Sequence, residues 1–392
     1  MKNIKKNKKR KICFVITSFI HYSRNLLVLE ELKKRKDVDL HIVIGGTALL
    51  SKYTSKYTQI KTLLEEANFK NLYEVHFNLE GDTETVKAKT VGLGIVEFTN
   101  IFNNIKPDAV LVRGDRFEVL SAATAASYMN IPIAHIEGGD VSGTLDEAVR
   151  HSITKLAHIH FPTNEESKKR ILKMGENKKY IFNFGSPDIE MIDKMSKSKR
   201  VFDISKTGSG TDINLKDTFI IVMYHPVTTD VKALSKNTRN LLNAVYEMGV
   251  QTLWFWPNVD LGSEEISHEM RMFSDKVSGH KIRFMRYLQP EQFSHVLKNA
   301  NCMVGNSSAG IKECSYLGIP VVNIGSRQGK RLRVKNVVDV SENKEKIKKA
   351  IEKQLSNGTY KSSNIYYKKN TSKNIAKTLA TVNLYVQKSF AD

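Results

Sequence analysis

Short, apolar, β-rich runs alternate with helix-like stretches along nearly the whole chain, and few folds accept that rhythm. KICFVIT is followed by a helical pattern over 24–36, and LHIVIG and LYEVHF by one over 90–104. AVLVRGD, IPIAHIEGG, HIHFPT and YIFNFG continue the series. Runs this short and this evenly apolar suit strands covered on both faces, which calls for parallel sheets with crossover helices. A polar stretch from Lys194 to Lys216, rich in Lys, Ser, Gly and Asp, interrupts the rhythm. It resumes with TFIIVMY, TLWFWP, KIRFMRY, NCMVGN and IPVVNIG, spaced by helical patterns such as 290–299 and 309–317. The expected fold is α/β, with Rossmann-like doubly wound domains at 1–193 and 217–369 and a linker region at 194–216. The final stretch, 370–390, reads as one amphipathic helix, with Ile375, Leu379, Val382 and Val386 near helical spacing.

Charge narrows the partners. A formal net charge of +20 is compatible with nucleic acid, an anionic membrane surface or a small anionic ligand. Part of the excess is local, since MKNIKKNKKRK carries seven Lys or Arg in its eleven residues and no acid. No aromatic interleaves with those lysines to stack bases, so the segment reads as a solvated tail and no nucleic-acid partner is expected. KICFVITSFI is too short an apolar run to span a membrane and lacks a small-residue cleavage site, so no membrane partner is expected either. Cys13, Cys302 and Cys314 are odd in number, widely spaced and set among apolar neighbours. They read as free, buried thiols of a cytoplasmic protein. No GxGxxG loop, GxxxxGK[ST] loop, paired-Cys motif or HExxH pair occurs, so no metal or other cofactor is expected.

In open parallel sheets ligands bind beyond the carboxyl ends of the strands. The polar residues that directly follow apolar runs there are Asp115; His135 and Glu137; His225; and Asn306, Ser307 and Ser308. VGNSSAGIKE combines strand, small-residue turn and helix start, which suits either a diphosphate cradle or an ordinary serine-capped helix. Glu313 is placed to accept ribose hydroxyls or to sit as a solvated helical acid. Arg327, Lys330, Arg331 and Arg333 cluster after VVNIG, where guanidinium forks suit phosphate oxygens. GDRFE, HIEGGDVSGTLDEAVRH and HPVTT supply carboxylates and imidazoles suited to proton transfer. Structural roles compete: Asp115 as a helix cap, His135 as partner of a buried backbone group, His151 and His158 as helix-face residues.

VRGDRFEVLSAATAA, HIEGGDVSGTLDEAVRHSITKLAHIHF, GSPD, HPVTTD, PNVDLGS, GNSSAGIKE and NIGSRQGKR, taken in this order and spacing, resemble the hydrolysing UDP-N-acetylglucosamine 2-epimerases. The resemblance implies a GT-B type fold, two Rossmann-like domains facing a cleft that holds the active site, with a helix at 370–392 packing back across them. It implies conversion of UDP-N-acetylglucosamine, or a related UDP-linked N-acetylated amino sugar, to UDP and the free 2-epimer such as N-acetylmannosamine. The route would be elimination to a glycal followed by hydration, without metal or redox cofactor. Motif by motif, Asp115, Glu137, Asp146 and His225 match the catalytic groups. Ser307 and Ser308 match the diphosphate clamp, Glu313 the ribose-binding acid and Arg327 a phosphate contact, and Arg113 and Arg331 lie within the matching motifs. Where many relatives carry Arg-Ala-Asp-Tyr-Ser-Lys after the first strand, this chain has Phe19, Ile20, His21, Tyr22, Ser23 and Arg24. Tyr22, Ser23 and Arg24 keep the substrate-binding pattern; the leading Arg and the Asp are gone, which bears on sugar specificity and phosphate contact. A GT-B glycosyltransferase and a non-enzymatic nucleotide-sugar binding protein are the alternative readings, and homo-oligomerisation is left open.

Overall fold

Ile12 to Ile16 are all fully buried, yet they divide between two separate cores: Ile12, Phe14 and Ile16 pack into one, Cys13 and Val15 into the other. Alternation across a strand with helices on both faces produces that division, and burying each such aliphatic or Phe side chain contributes about 1.5–3 kcal/mol. In the second sheet Ile220 and Val222 take one side, Phe219 and Ile221 the other. The computed structural model describes residues 9–50, 59–81, 83–143, 145–198, 202–204, 207–227, 233–257 and 262–391, and the statements below concern these.

The described chain forms two units, each treated by itself: Met1–Asp140 with Asp146–Glu190 and Lys368–Asp392, and Val141–Leu145 with Met191–Tyr367. In the first, β1 (Arg10–Ile16), β2 (Val38–Gly45), β3 (Asn71–Val75), β4 (Ala109–Arg113), β5 (Ile133–Ile136) and β6 (Ile159–Phe161) form a parallel sheet in the order β3-β2-β1-β4-β5-β6. Its helices are α1 (Phe19–Lys33), α2 (Ile60–Glu66), α3 (Glu84–Ile105), α4 (Phe117–Tyr128), α5 (Asp146–Leu156) and α6 (Glu165–Lys173), and α7 (Pro187–Met195) leads out of it. The second unit holds β7 (Ser209–Gly210), β8 (Phe219–Met223), β9 (Gln251–Phe255), β10 (Ile282–Met285), β11 (Cys302–Gly305), β12 (Val321–Ile324) and β13 (Val337–Val340). Their order is β13-β12-β11-β8-β9-β10-β7, parallel except for β7. Its helices are α8 (Leu234–Met248), α9 (Ser263–Lys276), α10 (Pro290–Asn299), α11 (Ser308–Ile311), α12 (Glu313–Leu317) and α13 (Lys344–Asn357). The last helix, α14 (Thr371–Thr381), returns to the first unit. Apart from edge strand β7, both sheets have the doubly wound order, with the switch between β1 and β4 in one and between β8 and β11 in the other.

Several local expectations are corrected. The first helix starts at Phe19, because Ser18 takes an extended N-cap conformation and its carbonyl accepts from the His21 and Tyr22 amides. YIFNFG makes only an isolated bridge, Ile181 to His160, after which Phe182 and Phe184 pack on Phe161 and Asn183 turns the chain by accepting from the Gly185 amide. The stretch 309–317 breaks at Lys312 into two short helices. The helix expected over 370–390 stops at Thr381, where Val382 turns extended with ψ of 141° and its amide closes the last turn on the Thr378 carbonyl. Beyond, Tyr385 packs its ring against His158 and Tyr180 at centroid distances of 5.1 and 4.5 Å, so tertiary packing holds an irregular segment. Helix α14 lies on α1 within the first unit. The solvated-tail reading fails at its C-terminal end: Arg10 donates to the Leu379 and Val382 carbonyls at 2.9 and 2.8 Å, and the Lys11 ammonium to the Ile105 carbonyl at 2.7 Å. Both cations close helix C-termini, where carbonyls lack partners. Residues 1–8 of that tail lie outside the described residues. Cys13, Cys302 and Cys314 are free and buried.

Candidate active site

At the switch point of the first unit, strand β4 delivers Arg113, Gly114 and Asp115, and β5 delivers Glu137. Arg113 is 1% exposed and donates to Glu137 through Nε and Nη2 at 3.2 and 2.9 Å. The same Nη2 lies 2.5 Å from Asp188 at the start of α7, and Asp188 lies 3.5 Å from the guanidinium of Arg24. Arg24 also gives its carbonyl to Arg113 Nη1 at 3.3 Å. Two guanidiniums and two carboxylates thus form a charge-balanced chain, Arg24–Asp188–Arg113–Glu137, at the condition under which buried ions are tolerated. Glu137 has φ of 71°, a left-handed conformation that costs a non-glycine residue about 1–3 kcal/mol.

Asp115 pairs with Arg150, whose other nitrogen donates to the Asp140 carbonyl at 3.2 Å. Arg150 stands four residues after Asp146 on α5, one helical turn along the same face. His135 is fully buried and its Nε2 lies 2.8 Å from the Gly114 carbonyl, an acceptor, so that nitrogen carries the proton. Burial drives its pKa down to about 3, so His135 holds the Gly114 turn as a neutral strut. Tyr22 is packed in the apolar core, its hydroxyl pKa pushed up to about 12 chiefly by burial, and the Ser23 hydroxyl donates back to Ile20. Of the first-helix candidates, only Arg24 joins the charged chain.

The second unit builds its switch point from amides and hydroxyls. Asn306, after β11, accepts from the His225 amide at 2.7 Å and donates to the His225 carbonyl at 2.8 Å, locking the β8 and β11 loops together. Its carbonyl accepts from Arg327 at 3.1 Å and from Gln328 at 3.0 Å, which ties in the loop after β12. Gly305, with φ of 128°, is required there, since a Cβ would collide with the Met223 carbonyl. Ser307 caps α11 by accepting from the Ala309 amide at 3.4 Å; Ser308 is half-buried beside it, and Glu313 is buried at the start of α12. Helix α11 has only four residues, so its dipole is small and any anion affinity rests on hydroxyls, amides and guanidiniums. Arg331 is buried, whereas Arg333 pairs with Asp339 and serves the loop itself. Val141–Leu145 belongs to this unit: the Gly143 amide donates to the Arg327 carbonyl at 3.1 Å, at an approach that leaves no room for a Cβ. Thr228 and Thr229 of HPVTT, Thr144 of SGTLDE and Asn258 to Leu261 of PNVDLGS lie outside the described residues.

Asp188, Arg150 and Gln328 escaped the sequence reading. Asp188 and Gln328 lie inside the quoted motifs GSPD and NIGSRQGKR, and Arg150 repeats with Asp146 at helical spacing, so a signal existed for all three. Among the described residues no group of three or more His, Cys, Asp or Glu is arranged to hold a metal ion, and no helix is long and apolar enough to cross a membrane.

The two doubly wound sheets define a GT-B type α/β protein. A family model described as UDP-N-acetylglucosamine 2-epimerase matches residues 30–380, and the chain belongs to that family. It is 34% identical over 378 residues, 96% of this chain and 97% of the relative, to the UDP-N,N'-diacetylbacillosamine 2-epimerase (hydrolyzing) of Legionella pneumophila. It is 30% identical over 346 residues, 86% of both chains, to a UDP-N-acetylglucosamine 2-epimerase of Neisseria meningitidis. In fold it resembles the Methanocaldococcus jannaschii UDP-GlcNAc 2-epimerase crystallised with UDP-GlcNAc and UDP, with TM-score 0.74, 20% identity, and coverage of 94% of this chain and 99% of that one.

Proposed function

We propose that this chain is a hydrolysing 2-epimerase acting on UDP-N-acetylglucosamine or a related UDP-linked N-acetylated amino sugar such as a diacetylated one. The observation that carries this is likeness along 96% of the chain to a relative named as hydrolysing. The polar groups gathered at both sheet switch points are consistent with it.

A hydrogen on C2 of an amino sugar has no neighbouring carbonyl, so removing it alone is very unfavourable. Breaking the bond between C1 and the diphosphate oxygen relieves this. A base takes the C2 proton, UDP leaves with the bonding electrons, and a C1=C2 double bond remains. Water then adds its oxygen to C1 while a proton reaches C2 from the opposite face, giving UDP and the free 2-epimer. Asp115, Glu137, Asp146 and His225 form the set proposed for these proton transfers. Arg150 orients Asp115, and the Arg113 fork fixes Glu137 in its left-handed turn, so the carboxylates are positioned before substrate arrives. Ser307, Ser308, Arg327 and Arg331 would meet the diphosphate and stabilise the charge that grows on it, Glu313 would accept ribose hydroxyls, and Arg24 and Arg113 would line the sugar side. We place this reaction in the cytoplasm, feeding acidic nine-carbon sugar synthesis when the product is N-acetylmannosamine.

The test is incubation with a small panel of UDP-sugars and no acceptor. UDP and free epimerised sugar should appear in equal amounts. Release of UDP only when an acceptor is added would favour a glycosyltransferase, and an epimerised sugar still linked to UDP would rule out the hydrolysing route.

A further inference from the structure

His21 stands in the first turn of α1, at the switch point of the first sheet, and its two ring nitrogens face different surroundings. The Thr17 amide donates to Nδ1 at 3.4 Å and the Thr17 hydroxyl lies 3.2 Å from it. A backbone amide can only donate, so Nδ1 accepts and the proton sits on Nε2. The side of Gly114 is open, and the nearest heavy atom a Cβ there would meet is His21 Nε2, at 3.8 Å. His21 is itself buried, 4% exposed. An N–H donor on a rigid, buried ring therefore borders the space over Gly114, between Arg113 and Asp115 in sequence.

Burial, then the positive charges of Arg116, Arg113 and Arg24, lower the His21 pKa well below its usual 6.5, so the ring is neutral at ordinary pH. Those cations are themselves matched: Arg24 and Arg113 by Asp188, Arg113 also by Glu137, and Arg116 by Glu118 at 3.0 Å. The surroundings are close to charge balance, which suits a neutral acceptor better than a phosphate.

We propose that His21 is a specificity-determining substrate contact, its Nε2–H donating to an uncharged oxygen on the sugar, a hydroxyl or the carbonyl of an N-acyl group. This rests on the sugar-nucleotide reading above. A donor fixed in a buried site discriminates strongly, because a sugar that lacks the acceptor leaves it unpaired. The sugar rather than the nucleotide is the target, since His21 shares its unit with Asp115 and Glu137, whereas the groups proposed for the diphosphate belong to the other unit.

Two substitutions separate the contact from a structural role. The His21→Asn amide reaches only the Nδ1 position, keeping the tie to Thr17 and losing the outward donor; the His21→Gln amide reaches the Nε2 position and does the reverse. We expect His21→Asn to melt like the parent, to bind UDP with unchanged affinity, and to lose about 10- to 100-fold in kcat/KM on the preferred sugar nucleotide. His21→Gln should recover at least part of that loss. Assays on UDP-N-acetylglucosamine and its diacetylated relative identify the oxygen: a loss confined to the diacetylated substrate points to the added N-acyl carbonyl, an equal loss on both to an oxygen they share. Unchanged kcat/KM in folded His21→Asn, a parallel loss of UDP affinity, or better activity in the Asn than in the Gln variant would each overturn the proposal. Failure of the parent chain to turn over any UDP-sugar would instead overturn the functional reading on which it rests.

Discussion

Apart from the edge strand β7, the two units share one strand order and gather different kinds of residues at its switch point. At the first switch point the residues are buried ions in fixed pairs: Arg113, Glu137 and Asp188 are 1%, 7% and 2% exposed, and Arg113 pairs with both carboxylates. At the second, neutral groups tie the loops together, one Asn306 side chain joining two and its backbone carbonyl holding the third, while Glu313 and Arg331 are buried and Arg327 is half-buried. Sheet topology decides where loops gather, and loop residues decide what they do. A site that moves protons gains from carboxylates fixed before substrate arrives, because their desolvation is met during folding. A site that holds a diphosphate needs donors and cations at a surface.

This contrast is open to direct attack, beginning with the largest effect. Asp188→Ala should destabilise the protein by about 3–5 kcal/mol in denaturant unfolding, since it leaves Arg113 and Arg24 short of a partner in a buried site. A change below about 1 kcal/mol would mean that the ion chain is not what organises the first switch point. Next, Asp115→Asn, Glu137→Gln, Asp146→Asn and His225→Ala should each reduce kcat more than about a hundredfold, the range for a lost proton-transfer group. Any of them that folds and keeps near-native turnover leaves the catalytic set. Ser307→Ala and Glu313→Ala should act mainly on KM and on UDP affinity, by about 10- to 100-fold, because those groups would touch parts of the ligand distant from C1 and C2. Titration calorimetry with UDP decides it, and unchanged affinity in both variants would leave the GNSS turn a helix cap only.

A smaller effect concerns pH. Burial of Glu176 raises its pKa, but hydrogen bonds from His160, Lys155 and Lys388 outweigh this and bring it from 4.5 to about 2. A carboxyl depressed in the folded state contributes stability that is fully present above about 4.5 and is lost as pH falls toward 2. Glu176→Gln should therefore flatten the acid limb of the stability profile between those values. An unchanged slope would show that the cluster under the C-terminal segment has little weight.

What the sequence revealed and what it hid follow from the same distinction. Strands covered on both faces announce themselves as apolar runs, and a charged residue directly after one, as at Arg113, Asp115 and Glu137, marks the sheet's functional edge. Pairing across loops has no such signature. That Asp188 joins Arg113 depends on α7 starting beside β4, and that Asn306 locks His225 depends on β8 and β11 being neighbours across the switch. Periodicity also misled where tertiary contacts took over, as beyond Thr381, where Tyr385 packs against Tyr180 and His158 although the pattern continued to look helical. Arg10 looked like part of a basic tail because nothing in its neighbours announces the helix end that it caps, at Leu379 and Val382.

The central claim, elimination followed by hydration, is tested most directly by following the reaction in deuterium oxide by proton NMR with UDP-N-acetylglucosamine and a diacetylated UDP-sugar as substrates. The account predicts UDP together with a free 2-epimeric sugar that carries deuterium at C2, because the proton lost in forming the double bond is replaced from solvent. A product that keeps its original hydrogen at C2, or one in which the sugar remains joined to UDP, would contradict it.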